Sequence, residues 1–438
     1  MITILAFAFV IGVLVFVHEL GHFLAARRVG IRVLTFSVGF GPRLIGFTRG
    51  GTDYCISAVP LGGFVKMAGE TVDESPTGRP DEFLSKTKWE RFQVLIMGPV
   101  MNLALAVFVL AFVLYQGADV PAYRDMPPVV GAVEKGSAGD KAGILPGDRI
   151  LRVDDQAVPT WDSLLLAISG KARREVTLLV DRAGQSRPIE VVPTAEGKYE
   201  IGDIGVFPLT HPRVRSVNAG DPAGLAGIKP GDVVLQVNDR PISFARQLSE
   251  EIGKHAGQPI VVHVLRDGNT EDVRVTPVQR GALGVIGISI SDEVKRIEPG
   301  ALDALKMSVL QNWENAGQIF KTLGGLFTGE TSPKQLMGPV GIAQLSGESA
   351  SNGFIPLLGL MAMISLNLGL LNLMPIPVLD GGHILILLLE GVARRSFSTR
   401  VKERMLLAGF VLLMLLMVTV IYNDLTRLPW VEHLMFWR

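Results

Sequence analysis

A zinc-binding pattern lies within an apolar segment that is long enough to cross a membrane. Residues 2–26 are almost wholly Ala, Val, Ile, Leu and Phe, yet they include His18, Glu19 and His22. A stretch of this length spans a bilayer as a helix, where ionisable side chains are costly unless they have a function. Residues four apart share a helix face, so His18 and His22 point the same way. This H-E-x-x-H pattern is typical of zinc hydrolases and predicts a metalloprotease that works inside the membrane.

The composition agrees with a membrane protein that carries a soluble insert. The 438 residues are 48% hydrophobic, and the mean hydropathy of +0.36 lies between the values typical of soluble proteins and of all-membrane transporters. Basic and acidic residues balance at 42 each, which gives no electrostatic reason to expect a nucleic-acid partner. Cys55 is the only cysteine, so no internal disulfide can form.

Four apolar segments have the length of a membrane span, namely residues 2–26, 92–115, 354–373 and 405–421. Basic clusters follow the first segment, precede the second and separate the third from the fourth. An excess of Lys and Arg marks the cytoplasmic side of a membrane protein. We therefore predict that these clusters are cytoplasmic, and that both termini and the long segment between the second and third spans face outward.

The outward segment contains an internal repeat. The sequence A-G-I-L-P-G-D at residues 142–148 recurs as A-G-I-K-P-G-D at residues 226–232, 84 residues later. A strand-like run ending in a turn follows each copy, which predicts two tandem α+β modules. The signature resembles bacterial, circularly permuted PDZ domains, which bind extended peptides by strand addition. Spacers or steric gates that bind no peptide remain an alternative.

Two further segments are predicted to lie at the membrane without crossing it. Residues 31–67 are rich in glycine and β-formers, with a strand at 52–59, and they connect two helices whose ends meet the same face. They predict a β-hairpin that dips into the protein at membrane depth. From Leu302 to Phe327, apolar residues recur every three or four positions, as on one face of a helix. This helix is expected in the outer membrane interface, with packing on the repeat modules as the alternative.

A third metal ligand must come from outside the first helix, because a catalytic zinc usually has three protein ligands and one open position. Asp380 is the strongest candidate, since it follows two prolines that end or break the third span. Irregular backbone at membrane depth is tolerated where it lines a protein interior or a wet cavity. His383 is the rival ligand, and the sequence alone leaves both open.

Together these motifs resemble the site-2 protease family of intramembrane zinc metalloproteases. H-E-x-x-H in a first span and N-x-x-P-x-P-x-x-D-G at residues 372–381 are its paired signatures. Residues 98–102, G-P-V-M-N, are similar to a further motif in its second span. Two PDZ modules between the second and third of four spans resemble the subgroup that regulates envelope-stress σ-factor signalling in Gram-negative bacteria. The resemblance covers essentially the whole chain.

The resemblance implies a role for each motif residue. His18, His22 and Asp380 would bind Zn²⁺, Glu19 would act as general base, and Asn372 would contact the substrate. Residues 31–67 would be the family's re-entrant β-hairpin, which holds substrate as an added strand, and 52–59 is the expected edge strand for this pairing. Further candidate substrate contacts are Asn102, for which an ordinary interhelical hydrogen bond is the alternative, and Tyr54 and Ile56.

The expected substrates are single-span membrane proteins, such as an anti-σ factor already trimmed on its outer side, or remnant signal peptides. His18 lies nearer the inner end of the first helix, so the site is expected near the cytoplasmic face of a bacterial inner membrane. Two other classes of protein make different predictions. A metal-dependent transporter predicts more spans and polar residues in several helices, and an inactive PDZ scaffold predicts loss of Glu19 or of a ligand.

The predicted fold class is therefore a polytopic α-helical membrane protein with four spans and a re-entrant β-hairpin, into which two α+β PDZ domains are inserted. The predicted boundaries are 1–30 (first span), 31–70 (hairpin), 71–91 (cytoplasmic loop), 92–116 (second span), 125–208 and 209–292 (PDZ domains), 298–345 (amphipathic region), 354–380 (third span), 381–404 (cytoplasmic loop), 405–422 (fourth span) and 423–438 (outer tail).

Overall fold

The computed structural model describes residues 2–70, 78–197, 199–218, 220–281, 283–291, 294–329, 331–395 and 397–427. The chain divides into two compact units. The first comprises Met1–Gly117, Glu298–Gly324 and Leu336–Arg438, and the second comprises Ala118–Ile297 and Gly325–Gln335. Parts of two predicted segments, 71–77 and 428–438, lie outside the described residues.

The first unit begins with two long helices separated by two long strands. These elements are α1 (Ile2–Arg28), β1 (Val33–Arg49), β2 (Thr52–Met67) and α2 (Lys88–Tyr115). A capping box fixes the start of α2, because the Thr87 side chain accepts from the Glu90 amide and the Glu90 carboxylate accepts from the Thr87 amide. The helix therefore starts four residues before the apolar segment that predicted it.

Both strands pair twice and form a sheet of four segments, in which 33–40 and 52–59 run parallel to each other and the other two pairs are antiparallel. Residues 33–40 pair with 52–59 on one side and with 63–67 on the other, while 43–49 pair with 52–57. The order across the sheet is thus 43–49, 52–59, 33–40, 63–67. The expectation that 52–59 is an edge strand is wrong, because its backbone is paired on both sides. The two edges are 43–49 and 63–67.

The second unit contains two modules, each with one apolar core. The first has its core around the fully buried Trp161. Its elements are β3 (Ala118–Pro121), β4 (Val130–Val133), α3 (Ala138–Lys141), β5 (Arg149–Val153), β6 (Gln156–Ala157), α4 (Trp161–Ser169), β7 (Val176–Arg182), β8 (Gln185–Val191), β9 (Thr194–Glu196), β10 (Ile201–Asp203) and β11 (Val206–Pro208).

The second module repeats this order of elements. They are β12 (Arg213–Val217), α5 (Pro222–Ala226), β13 (Val233–Val237), β14 (Arg240–Pro241), α6 (Ala245–Gly253), β15 (Ile260–Arg266), β16 (Asn269–Val275), β17 (Val278–Arg280), β18 (Leu283–Val285), β19 (Ile288–Ser291) and β20 (Val294–Ile297). The sheet β6-β5-β7-β8 of the first module corresponds to β14, β13, β15 and β16 of the second. The predicted tandem of α+β modules therefore matches the observed elements.

The repeated aspartate closes the same turn in both modules. The Asp148 carboxylate accepts from the amide of Leu145 and from the Arg182 guanidinium at 2.7 Å. Asp232 and Arg266 form the same pair at 2.7 Å, 84 residues later. Burial alone would raise the pKa of Asp148 and of Asp232, but these hydrogen bonds outweigh it and hold both below the usual range.

Five helices complete the first unit. They are α7 (Ala301–Thr328, whose last residues belong to the second unit), α8 (Pro339–Ser351), α9 (Phe354–Asn372), α10 (Asp380–Val392) and α11 (Thr399–Thr426). Within the described residues, four helices are long and apolar enough to cross a membrane, and these are α1, α2, α9 and α11. They coincide with the four predicted spans. The first part of the loop predicted over 381–404 contains α10, an apolar helix that is too short to span and that was not predicted.

Three of these four helices, α1, α2 and α9, pack together. One apolar cluster joins Val10 and Leu14 of α1 to Met361 of α9. The amphipathic helix α7 packs on this group as well, since the buried Ser308 hydroxyl donates to the carbonyl of Val107 in α2 at 2.7 Å. The opposite face of α7 carries exposed apolar side chains, including Leu302, Leu310 and Trp313.

Candidate metal centre

His18 and His22 lie one turn apart in α1, and their imidazole rings meet at Nε2. The two Nε2 atoms are 3.2 Å apart, and both His22 and the intervening Glu19 are buried. The helix brings them against α2 because Gly21 has no side chain. A Cβ at that position would lie 2.4 Å from the carbonyl oxygen of Met97. The two backbones are therefore in contact beside the histidine pair.

One face of α2 supports both histidines through residues that are spaced four apart. Nδ1 of His22 lies 2.8 Å from the carbonyl oxygen of Val94, which can only accept. Gly98 leaves room for the ring of His22, since a Cβ there would lie 2.2 Å from its Nε2. One turn further, the side chain of Asn102 lies 3.2 Å from Nδ1 of His18. Both rings thus bring Nε2 to a common point.

Asp380 reaches the same point from the start of α10. The chain between α9 and α10 contains two prolines, which prevent one continuous helix. Val378 in this connection has a φ of 96°, which β-branched residues rarely adopt, so the surrounding structure holds the turn. The carboxylate oxygens of Asp380 lie 3.2 Å from Nε2 of His18 and 3.5 Å from Nε2 of His22.

The three side chains fit a zinc ion. His22 donates from Nδ1 to a carbonyl, so in the neutral ring Nε2 carries a lone pair. The ligand atoms of His18, His22 and Asp380 all lie within 4.8 Å of one another. Electron-rich groups this close together repel one another unless a cation lies between them. In a tetrahedral zinc site, ligand atoms about 2.05 Å from the metal are about 3.3 Å from one another. The observed separations of 3.2, 3.2 and 3.5 Å agree with that spacing.

Glu19 and a cavity of about 620 Å³ lie beside this cluster. The cavity is lined by the three predicted ligands, by Glu19, by His383 and by residues 63–65 of the edge strand, with further lining residues from α2, α10 and α11. Gly63 approaches Glu19 so closely that a Cβ on it would lie 3.0 Å from Cγ of Glu19. A chain segment bound along this edge would therefore pass next to the carboxylate.

The remaining predicted site residues lie at varying distances from the cluster. Asn372 is half-buried in the last turn of α9. His383 lines the cavity but does not belong to the converging group of ligands among the described residues. Tyr54 and Ile56 lie on the interior segment 52–59, whose backbone groups are already paired within the sheet. Tyr54 packs its ring against the aromatic side chains of α1 and β1.

Comparison with known proteins identifies the family. Residues 6–416 match Peptidase family M50. The chain belongs to this peptidase family. It is 34% identical over 446 residues to the Regulator of sigma-E protease RseP of Salmonella typhimurium, covering 97% of this chain and 98% of that protein. It is 32% identical over 446 residues to the protein of the same name from Escherichia coli K12, and 32% identical over 455 residues to a Putative zinc metalloprotease of Vibrio cholerae, each with 97% and 98% coverage.

This M50 peptidase is an intramembrane zinc metalloendopeptidase with Zn²⁺ as its cofactor. Its four apolar helices and its bacterial relatives place it in a bacterial inner membrane. The transporter and inactive-scaffold alternatives are not favoured, because the family is a peptidase family and the H-E-x-x-H pattern is intact.

Sequence reasoning missed the support that α2 gives to the metal centre. The carbonyl of Val94 carries no side-chain signal and could not have been found. The spacing of Gly98 and Asn102 was visible as part of G-P-V-M-N, and it equals the spacing of the two histidines. When two helices are in contact, residues with the same spacing on each can face one another in pairs. The shared spacing could therefore have indicated that Gly98 and Asn102 face the two histidines.

Proposed function

We propose that this M50 peptidase hydrolyses a peptide bond within the membrane segment of single-span substrates, with His18, His22 and Asp380 as the zinc ligands and Glu19 as the general base. The observation that carries this proposal is the convergence of three ligand side chains beside a buried glutamate, on helices that are long and apolar enough to cross a membrane.

The roles follow from the positions of the side chains. When bound, zinc polarises a peptide carbonyl and acidifies a water molecule. Glu19 adjoins the ligand His18 in sequence and lines the same cavity, so it takes the proton of the attacking water and returns it to the leaving amine. Asn372, at the end of α9, contacts the substrate backbone.

The substrate binds as an added strand on the edge 63–67. A membrane helix hides its carbonyls in its own hydrogen bonds and must unwind before it is cut. Unpaired backbone groups of an edge strand compensate for that loss by pairing with the extended chain. Residues 63–65 of this edge line the cavity and pass Glu19, and they are the segment on which we propose the pairing, whereas the other edge, 43–49, contributes no lining residue among those described. Ile56 and Tyr54 support this edge from within the sheet.

Proline substitutions test this binding edge. Consecutive residues of a strand direct their backbone amides to opposite sides. Of the two substitutions Phe64→Pro and Val65→Pro, one therefore removes an N–H that faces the substrate, and the other removes an N–H that pairs with β1. We expect the first to lower cleavage about fivefold, since one hydrogen bond contributes about 1 kcal/mol, while zinc content is kept. The measurement is the cleavage rate of a tagged single-span substrate in membranes.

The matched control is the same pair of substitutions on the opposite edge, Leu44→Pro and Ile45→Pro. Both residues are exposed and lie away from the cavity lining. Cleavage that falls equally at the two edges would indicate general damage to the sheet and would contradict binding at 63–67.

The substrates we propose are anti-σ-factor-like proteins, because relatives of this length and identity are regulators of sigma-E protease. Remnant signal peptides are a second class with the same single-span form. The basic clusters support an active site near the cytoplasmic face, and we propose that the modules 125–208 and 209–292 are periplasmic PDZ domains. These domains exclude substrates with bulky outer domains, and peptide-tail binding is an additional role that the same fold permits.

Substrate trimming tests this proposal directly. One tagged single-span protein is supplied with its whole outer domain or with that domain shortened to a few residues, in membranes that hold the wild-type peptidase. We expect rapid cleavage of the trimmed form, with mass spectrometry locating the cut inside the membrane segment, and little cleavage of the full-length form. Equal cleavage of both forms would remove the size-exclusion role, and a cut outside the membrane segment would contradict intramembrane proteolysis.

A further inference from the structure

Asn102 is a polar side chain at full burial in the middle of α2. It has no exposed surface, and its Nδ2 lies 3.2 Å from Nδ1 of His18. Its Oδ1 is buried and has no hydrogen-bond partner among the described residues. A buried amide oxygen without a donor costs about 1–3 kcal/mol, so the arrangement calls for an explanation.

The chemistry of a metal-binding histidine explains the unpartnered Oδ1 of Asn102. His18 presents Nε2 to the cluster, so a neutral His18 that binds zinc there carries its proton on Nδ1. Nδ1–H is a donor and needs an acceptor. The NH₂ group of Asn102 is also a donor, so the two groups as placed would oppose each other. A half-turn of the carboxamide within the same volume exchanges NH₂ for Oδ1 and resolves both problems at once.

We propose that Asn102 is a positioning residue for the metal ligand His18, with Oδ1 accepting a hydrogen bond from Nδ1–H. The inference rests on the zinc site proposed above. It gives His18 the same kind of support that His22 receives from the carbonyl of Val94, which lies two turns earlier on α2. Both ligands then have an acceptor on α2 that fixes the tautomer and the ring orientation.

The surroundings hold Asn102 in this place. The buried hydroxyl of Ser365 in α9 donates to the backbone carbonyl of Asn102 at 2.7 Å, which joins α2 to α9 at this level. Asn102 is absent from the described residues that line the cavity. Its side chain therefore lies behind the ligand, where it acts on the metal through His18 and makes no contact with a substrate.

Zinc affinity of the purified full-length protein tests the proposal. The dissociation constant is measured by competition with a chromogenic chelator for the wild type, Asn102→Leu and Asn102→Asp. Asn102→Leu removes the acceptor, and we expect zinc binding to weaken about 10–100-fold. Asn102→Asp keeps an oxygen in place, and we expect affinity within about threefold of the wild type. Asn312→Leu, a buried asparagine in α7 that bonds within its own helix, is the control and should bind as the wild type does.

Three outcomes overturn the inference. Asn102→Leu could keep full zinc affinity, Asn102→Asp could lose as much as Asn102→Leu, or nitrogen NMR of the histidine-labelled wild-type zinc form could find Nδ1 of His18 without a proton. The NMR measurement needs no variant, so it applies even if a substitution prevents folding. His18→Ala separates this inference from the site itself. If His18→Ala binds zinc normally, the proposed metal site is wrong. If His18→Ala loses zinc while Asn102→Leu binds it normally, only the positioning role of Asn102 is wrong.

Discussion

Glu19→Gln is expected to reduce cleavage of a trimmed single-span substrate by about 10³-fold or more, at the upper part of the range for loss of a general acid–base group. Glutamine has the same shape and fills the same buried position beside Gly63. It cannot accept a proton from water at neutral pH or return one to the leaving amine. His18, His22 and Asp380 are untouched, so the variant should retain zinc. The measurement combines the cleavage rate in membranes with zinc content by mass spectrometry.

Glu403→Gln is the matched control for this experiment. Glu403 lines the same cavity from α11 but is exposed, and it has no place in the proposed chemistry. We expect its cleavage rate and zinc content to equal those of the wild type. Equal cleavage by Glu19→Gln and the wild type would remove Glu19 as the base. Zinc in both proteins without cleavage by either would contradict the choice of substrate and favour a binding scaffold.

The spans and the ligands on α1 could be predicted because each depends on a local pattern. Apolar length fixes a membrane helix, and a spacing of four places His18 and His22 on one face whatever surrounds them. Helix ends were less accurate. Thr87 starts α2 by a capping box on polar residues, before the apolar segment begins. Hydropathy therefore locates the part of the helix in the membrane, and the capping residues locate its end.

The repeat could be predicted for a similar reason. Its glycines and proline form one turn, and its aspartate accepts from a backbone amide three residues earlier in both modules. The arginine partners, Arg182 and Arg266, were not predicted. Each lies 34 residues after its aspartate, at the end of a strand that only the folded sheet brings back to the turn.

Pairing between distant segments could not be read from the sequence. Residues 52–59 have the composition of a strand, but nothing in them states whether one or two neighbours pair with them. The edge that reaches the cavity begins at Gly63, and no local pattern marks this segment as an edge. The same limit applies to α10, whose thirteen residues were interpreted as loop because they follow two prolines and are too short to span.

Substitution of Asp380 and of His383 decides which of them is the third zinc ligand. Asp380→Ala should weaken zinc binding by more than about 10²-fold. Losing even a residue that only hydrogen-bonds to a metal ligand lowers metal affinity about 10–100-fold. Its oxygens lie 3.2 and 3.5 Å from the two Nε2 atoms, at the spacing of tetrahedral ligands. Cleavage should be lost with the metal, and His18→Ala should behave in the same way.

His383→Ala is the decisive comparison, since His383 lies on the same helix one turn after Asp380 and lines the same cavity. It stays outside the cluster in which the ligand atoms converge among the described residues. We therefore expect its zinc dissociation constant to lie within about threefold of the wild type, below the 10–100-fold loss that even an outer partner of a ligand causes. Chelator competition on the three purified proteins measures this directly. If His383→Ala loses zinc and Asp380→Ala keeps it, the assignment is reversed. If both lose it, the metal is shared by four protein ligands, which would leave no open position for water and would contradict a catalytic zinc site.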